Sequence, residues 1–191
     1  MRDSRDNYIV GHFGALYPAI RTPDTFLGAF SEALEENPDF HDSVKVHFYG
    51  ADDYTCSKSF QDLIDTLGIA SMVEYHHYID HDRVLLKMAS VDLLLLLQPH
   101  CSTNYQIPAK LYEYIAVRRP LLAVAPEGSA TSRLVKKYNL GTVCDPDDRA
   151  SIKSAIAQAL KGEIKLPDED VVNKFSARHM AGKLVEVMNS L

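Results

Sequence analysis

Five consecutive leucines, Leu93 to Leu97, constrain this chain more than any other stretch. The run is far too short to cross a bilayer, and it offers no polar position to a solvent-facing sheet. It suits a central strand of a parallel sheet covered on both faces. Shorter apolar runs repeat the theme at residues 8–10, 44–49, 72–75, 121–125 and 140–144. Helical spacing follows each of them: Phe26, Leu27, Phe30 and Leu34 behind a Thr22-Pro23 start; Phe60, Leu63, Ile64 and Leu67 before Gly68; Val84, Leu85 and Met88; then Leu134 and Val135; then Ile152, Ile156 and Leu160 after a capping Asp145–Asp148 turn. Six alternations of strand and helix predict an α/β, Rossmann-like, three-layer αβα sandwich with a mostly parallel sheet of about six strands. Ligands of such sheets gather at the C-terminal ends of the strands. The polar loops at Gly11 to Gly14, Gly50 to Asp53, His76 to His81, His100 to Gln106 and Glu127 to Ser129 all fall there.

A length of 191 residues is enough for one domain with a sizeable core. Residues 1–167 are read as the sheet domain, and residues 168–191 as a C-terminal amphipathic helix with a break near Phe175-Ser176. A formal charge of −6 argues against nucleic acid as a partner, because phosphate neutralisation needs a concentrated basic surface. The N-terminus lacks the apolar core of a signal peptide. Cys56, Cys101 and Cys144 are odd in number and widely spaced, which predicts reduced thiols and a cytoplasmic setting.

The chemistry concentrates in QIPAKLYEYIAVRRPLLAVAP, residues 106–126. Ile107-Pro108 predicts a helix start, with proline in the first turn where its missing N–H is no loss. Lys110, Glu113 and Tyr114 fall at i, i+3 and i+4 and are expected to share one face, with Leu111, Ile115 and Ala116 turned toward the core. The amides of Ala109, Lys110 and Leu111, with the lysine itself, suit anionic oxygen, and the Glu113 carboxylate can accept two hydrogen bonds from a vicinal diol such as ribose. Gly11 and Gly14, just past the first strand, allow close approach of backbone to a ligand or a neighbouring domain. His76, His77 and His81 lack partners at ligand spacing, so no metal site is expected. Ser102 and Ser129 lack the strained setting of a hydrolase nucleophile.

The segment P-A-K-L-Y-E-Y-I-A-V-R-R-P resembles the donor-binding segment of the retaining group 1 (family 4) glycosyltransferases. G-H-F-G-A-L-Y-P with R-T-P-D, the D-L-L-L-L-L strand, L-G-T-V-C-D-P-D-D and the closing F-S-A-R are similar to that family in the same order. The resemblance implies one half of a GT-B fold, the C-terminal, nucleotide-sugar-binding half, with UDP- or GDP-linked sugar as donor substrate and no cofactor. Glu113 matches the second glutamate of the family's Glu-x7-Glu motif and would bind ribose; the first falls at Tyr105. Of two basic residues that the first loop usually presents to the diphosphate, Arg21 matches the second, and the first falls at Ala15. Lys110 is expected to supply the missing cation, so Arg21 and Lys110 are the candidate catalytic residues, acting without metal. Gly14 would make room for the pyrophosphate or sugar, His77 would touch the base, and Gly128 and Ser129 would lie near the sugar. Implied partners are an N-terminal acceptor domain, an acceptor glycan or lipid-linked sugar, and a second copy docked through the last helix. Polysaccharide assembly, at the inner face of the membrane, is the setting such relatives suggest. Alternatives are a nucleotide-sugar epimerase or phosphorylase on the same fold, and a non-catalytic nucleotide- or protein-binding module.

Overall fold

The computed structural model describes residues 7–17, 23–50, 54–100 and 105–190. Arg21 and Thr22 lie outside them. Six strands run in one sheet in the order β3-β2-β1-β4-β5-β6, and all five pairings are parallel. They are β1 (Tyr8–Phe13), β2 (Val44–Tyr49), β3 (Val73–His76), β4 (Leu93–Leu97), β5 (Leu121–Val124) and β6 (Thr142–Cys144). The leucine run is β4, between β1 and β5, with every residue buried. Its leucines divide between two cores. Leu93, Leu95 and Leu97 pack with α1 (Asp24–Glu36), α2 (Lys58–Thr66) and α6 (Arg149–Leu160); Leu94 and Leu96 pack with α3 (His81–Ser90), α4 (Ala109–Val117) and α5 (Ala130–Lys137). Period-2 side chains of one central strand therefore feed both layers of a three-layer sandwich.

Strand order reverses between β1 and β4, the topological switch point at which open α/β sheets leave a crevice. The exits from the strands are closed in a common manner. Gly14 N–H donates to Tyr49 O (2.9 Å), Gly50 N–H to His76 O (3.1 Å), Gln98 N–H to Val124 O (2.8 Å) and Ala125 N–H to Cys144 O (2.9 Å). Each departing loop thus makes its last sheet bond to the neighbouring strand's final carbonyl.

Strand β1 continues three residues beyond the expected end at Val10, which moves Gly11 out of the loop. A Cβ at Gly11 would stand 2.8 Å from Val91 Cγ1, so the small residue is required by packing within the sheet. The last segment is two helices, α7 (Glu169–Lys174) and α8 (Ala177–Asn189), and the break falls at Phe175-Ser176, where the Ser176 hydroxyl caps α8 by accepting from His179 N–H (3.2 Å). Helix α7 is held to the body: Arg118 Nε donates to Pro167 O (3.0 Å), and Phe175 packs edge-on against Tyr138. No residue of α8 is buried, and Met180, Leu184, Val187 and Met188 are all exposed. No helix among the described residues is long and apolar enough to cross a membrane.

Candidate functional site

Helix α4 starts directly at the switch point, and a buried tyrosine fixes it there. Tyr114 Oη accepts from Phe13 N–H (3.0 Å) and donates to Leu95 O (3.3 Å), bonding the helix to the end of β1 and the middle of β4 together. Burial pushes its phenol far above the ordinary tyrosine value, so it stays a protonated donor, and the Phe13 amide satisfies its oxygen. The expectation that Tyr114 shares the face of Lys110 and Glu113 is therefore corrected. Leu111, Tyr114 and Ile115 form the buried side, and Ala116 is exposed. An i+4 position lies 40° past a full turn, enough to carry Tyr114 onto the core face.

The helix tip differs in detail from the expected start. Pro108 is the residue before the helix rather than its first, with φ −58° and ψ 130°. Leu111 N–H donates back to Pro108 O (2.9 Å), and the Leu111 side chain is fully buried, so its amide is not available to a ligand. Ala109 and Lys110 remain at the head of the helix, where no intrahelical carbonyl lies behind them. Lys110 leans across the first loop: its Nζ is 3.4 Å from the place a Cβ would occupy at Gly14, and His12 Nε2 is 3.8 Å from the same place. Gly14 has φ +144°, and Gly50 beside it has φ +93°, conformations that favour glycine. The two glycines stack closely, a Gly50 Cβ position lying 3.5 Å from Gly14 C. Lysine, bare backbone and helix tip thus share one rim. Glu113, half-buried one turn along, makes no salt bridge to Lys110.

His12 is a site feature the sequence reading missed. It is buried in β1 with its Nδ1 3.0 Å from Leu95 O, which aims Nε2 toward Gly14. A histidine inside an otherwise apolar strand was the available signal. Among the other expected residues, His77 and Tyr105 are exposed, Tyr105 at 88%. Gly128 is exposed in an open turn at φ +71°. Ser129 is corrected: it is completely buried, and its hydroxyl caps α5 by accepting from Ser132 N–H (3.1 Å), so it has no surface to offer a sugar. A neighbouring brace joins β6 to β4, where Asp145 accepts from Glu127 N–H (2.9 Å) and Asp147 N–H (3.0 Å) and lies 2.9 Å from His100 Nε2. Burial alone would raise the Asp145 carboxyl, but those two amides and the imidazole hold it below the ordinary value. A separate cavity of about 480 Å³ opens at the other end of the strands, near Tyr8, Asp92 and Arg119, away from this rim. Asp92 there is committed to Ile9 N–H (2.8 Å).

The model of the family described as "Glycosyl transferases group 1" matches residues 7–162. No curated protein matches the chain. Solved structures do. The chain is similar to trehalose-6-phosphate synthase from E. coli bound with UDP-2-fluoro glucose, at 15% identity over 97% of this chain and 45% of that one, TM-score 0.65. It is similar to Anabaena Alr3699/HepE in complex with UDP-glucose, at 17% identity over 97% and 50%, TM-score 0.63. A third likeness is to the C-terminal domain of a group 1 family glycosyl transferase (LpcC) from Francisella tularensis, at 16% identity over 88% and 80%, TM-score 0.60. The chain spans less than half the length of the trehalose-6-phosphate synthases it matches, 36% to 46%. At such identities the likeness carries the fold.

Proposed function

Since the chain belongs to the group 1 glycosyl transferases, we propose that it is the donor-binding half of a GT-B enzyme that moves a sugar from a nucleoside-diphosphate sugar to an acceptor, with retention and without a catalytic metal. The observation that carries this reading is Lys110 Nζ poised over the bare backbone of Gly14 at the tip of α4. An ammonium group, the first-turn amides of Ala109 and Lys110, and the positive end of the helix dipole together suit a diphosphate, and they stabilise it most as it leaves with added charge. Glu113, one turn further, is placed for the two hydroxyls of a ribose. Gly14 admits the phosphates, and Arg21 supplies the second cation. His12 is a positioning residue beneath Gly14. The exposed loop at His77 contacts the base, and Tyr105 lines the sugar side in place of a carboxylate. The exposed apolar stripe of α8 packs on an acceptor domain, and the activity requires that domain.

Isothermal calorimetry with UDP, GDP and ADP and their glucose conjugates tests this. One of these bases is expected to bind with measurable heat and to raise Tm, as any ligand selective for the native state must. Lys110→Met is expected to weaken that binding at least tenfold, about 1.4 kcal/mol, and to weaken the fold far less than that. Equal affinity for wild type and variant would remove Lys110 from the phosphate site. No binding by any of the nucleotides would favour the non-catalytic protein-interaction module, a reading that Tyr105 and Ala15, standing where the family has charged residues, keep in view.

A further inference from the structure

Two histidines and a glutamate converge on one side of the β2–β3 pair, Glu74 and His76 from alternate positions of β3 and His47 from β2. Parallel register sets His47 opposite Glu74 and Tyr49 opposite His76. His47 Nε2 is 3.4 Å from Glu74 Oε2, His76 Nε2 is 3.7 Å from the same oxygen, and His47 Nδ1 is 3.2 Å from His76 Nε2. One ligand atom from each residue lies within 4.8 Å of the other two. A tetrahedral zinc bonded at about 2.0–2.2 Å to nitrogen and oxygen keeps its ligands roughly 3.3–3.6 Å apart. The two imidazole–carboxylate distances, 3.4 and 3.7 Å, stand close to that spacing, while the short contact between the rings runs through His47 Nδ1, so a modest turn of the His47 ring completes the set.

We propose that His47, Glu74 and His76 form a binding site for a divalent cation of the zinc type, with water completing the coordination on the exposed side of Glu74. The surroundings fit the donor set. Tyr49 Oη lies 2.9 Å from His47 Nδ1, so this ring can give its Nδ1–H to the phenol and turn Nε2 to the metal, the outer hydrogen bond that zinc-bound imidazoles require. Burial raises the Tyr49 hydroxyl to about 12, with a further push from Glu74, so it remains a phenol there. The His76 ring stacks on Tyr49 at 4.6 Å and 14°, which holds it in place. Lys87, whose Nζ is 5.5 Å from the centre of the Tyr49 ring, opposes a cation, and the Glu74 carboxylate offsets it.

The site is independent of the donor-binding reading. Its position makes it a clasp: two ligands come from the last residues of the edge strand β3, and His76 O is the acceptor for Gly50 N–H at the rim. Metal there would pin the edge strand β3 to β2.

The test is a calorimetric titration of the metal-free full chain with Zn(II), with Co(II) absorbance as a second readout. One equivalent is expected to bind, with the intense visible bands of four-coordinate Co(II) and a rise in Tm. Glu74→Gln and His76→Ala alter exposed or half-exposed side chains, and each is expected to weaken uptake at least a hundredfold, more than loss of an outer-shell partner does. His100→Ala, in the separate His100–Asp145–Asp147 group, is expected to change nothing. Failure of the wild-type chain to take up either metal would overturn the proposal. So would uptake that survives in Glu74→Gln and His76→Ala, or that is lost only in His100→Ala.

Discussion

Tyr114 is the residue on which the geometry of the rim turns. Its hydroxyl ties the last residue of β1 and the middle of β4 to the body of α4. Tyr114→Phe leaves the shape of the core unchanged and strands the Phe13 amide, a cost of about 1–3 kcal/mol in urea unfolding. Donor affinity is expected to fall with it, because Gly14 directly follows the freed residue. Lys110 and Glu113 were legible in the sequence because helical spacing and a proline start announce them. Tyr114 was misread for a reason of the same kind: on a nine-residue helix an i+4 position can serve either face, and only the depth of the crevice decides. Glu74 and His76 stand two apart on one strand, but their meeting with His47 could not be read, since only the register of β2 on β3 brings it about.

The elements were legible to within a few residues because apolar runs and caps mark them, as with Ser176 at the start of α8 and Asp148, whose carboxylate accepts from Ser151 N–H (3.0 Å), at the start of α6. Illegible were the ties between elements at the strand ends. Asp145 is the fullest of these, joining β6 to the turn before α5 and to the His100 end of β4. Its carboxyl titrates below the ordinary value in the folded chain, so the unfolded state binds its proton first, and the brace is worth most above the usual carboxylate pKa and is lost as pH falls through the folded one. Asp145→Asn is therefore expected to lower the stability at pH 7 by on the order of 1 kcal/mol, and Tm with it. The wild-type and variant Tm curves should draw together below about pH 4, where unfolded carboxylates protonate. A gap that persists unchanged at pH 2.5 would show that the charge is not what holds the brace.

On the scale of the whole molecule, the strand order and the two cores follow from alternating hydrophobic runs, and the group 1 family match over residues 7–162 agrees with the order of the motifs. Helix α8 stands apart from both cores. Replacing Leu184 and Met188 together by glutamine is expected to change the stability of this chain by less than about 0.5 kcal/mol, because neither side chain is buried on it. A loss of several kcal/mol, or one that varies with protein concentration, would mean that a second copy already covers the stripe in solution.

The amides of Gly14, Gly50, Gln98 and Ala125 draw a border across the molecule. Behind it the ladder is complete on backbone bonds of its own. Segments past that border can be lengthened, shortened or rewritten without unzipping a strand. One unaltered frame can in this way be refitted to a different cargo.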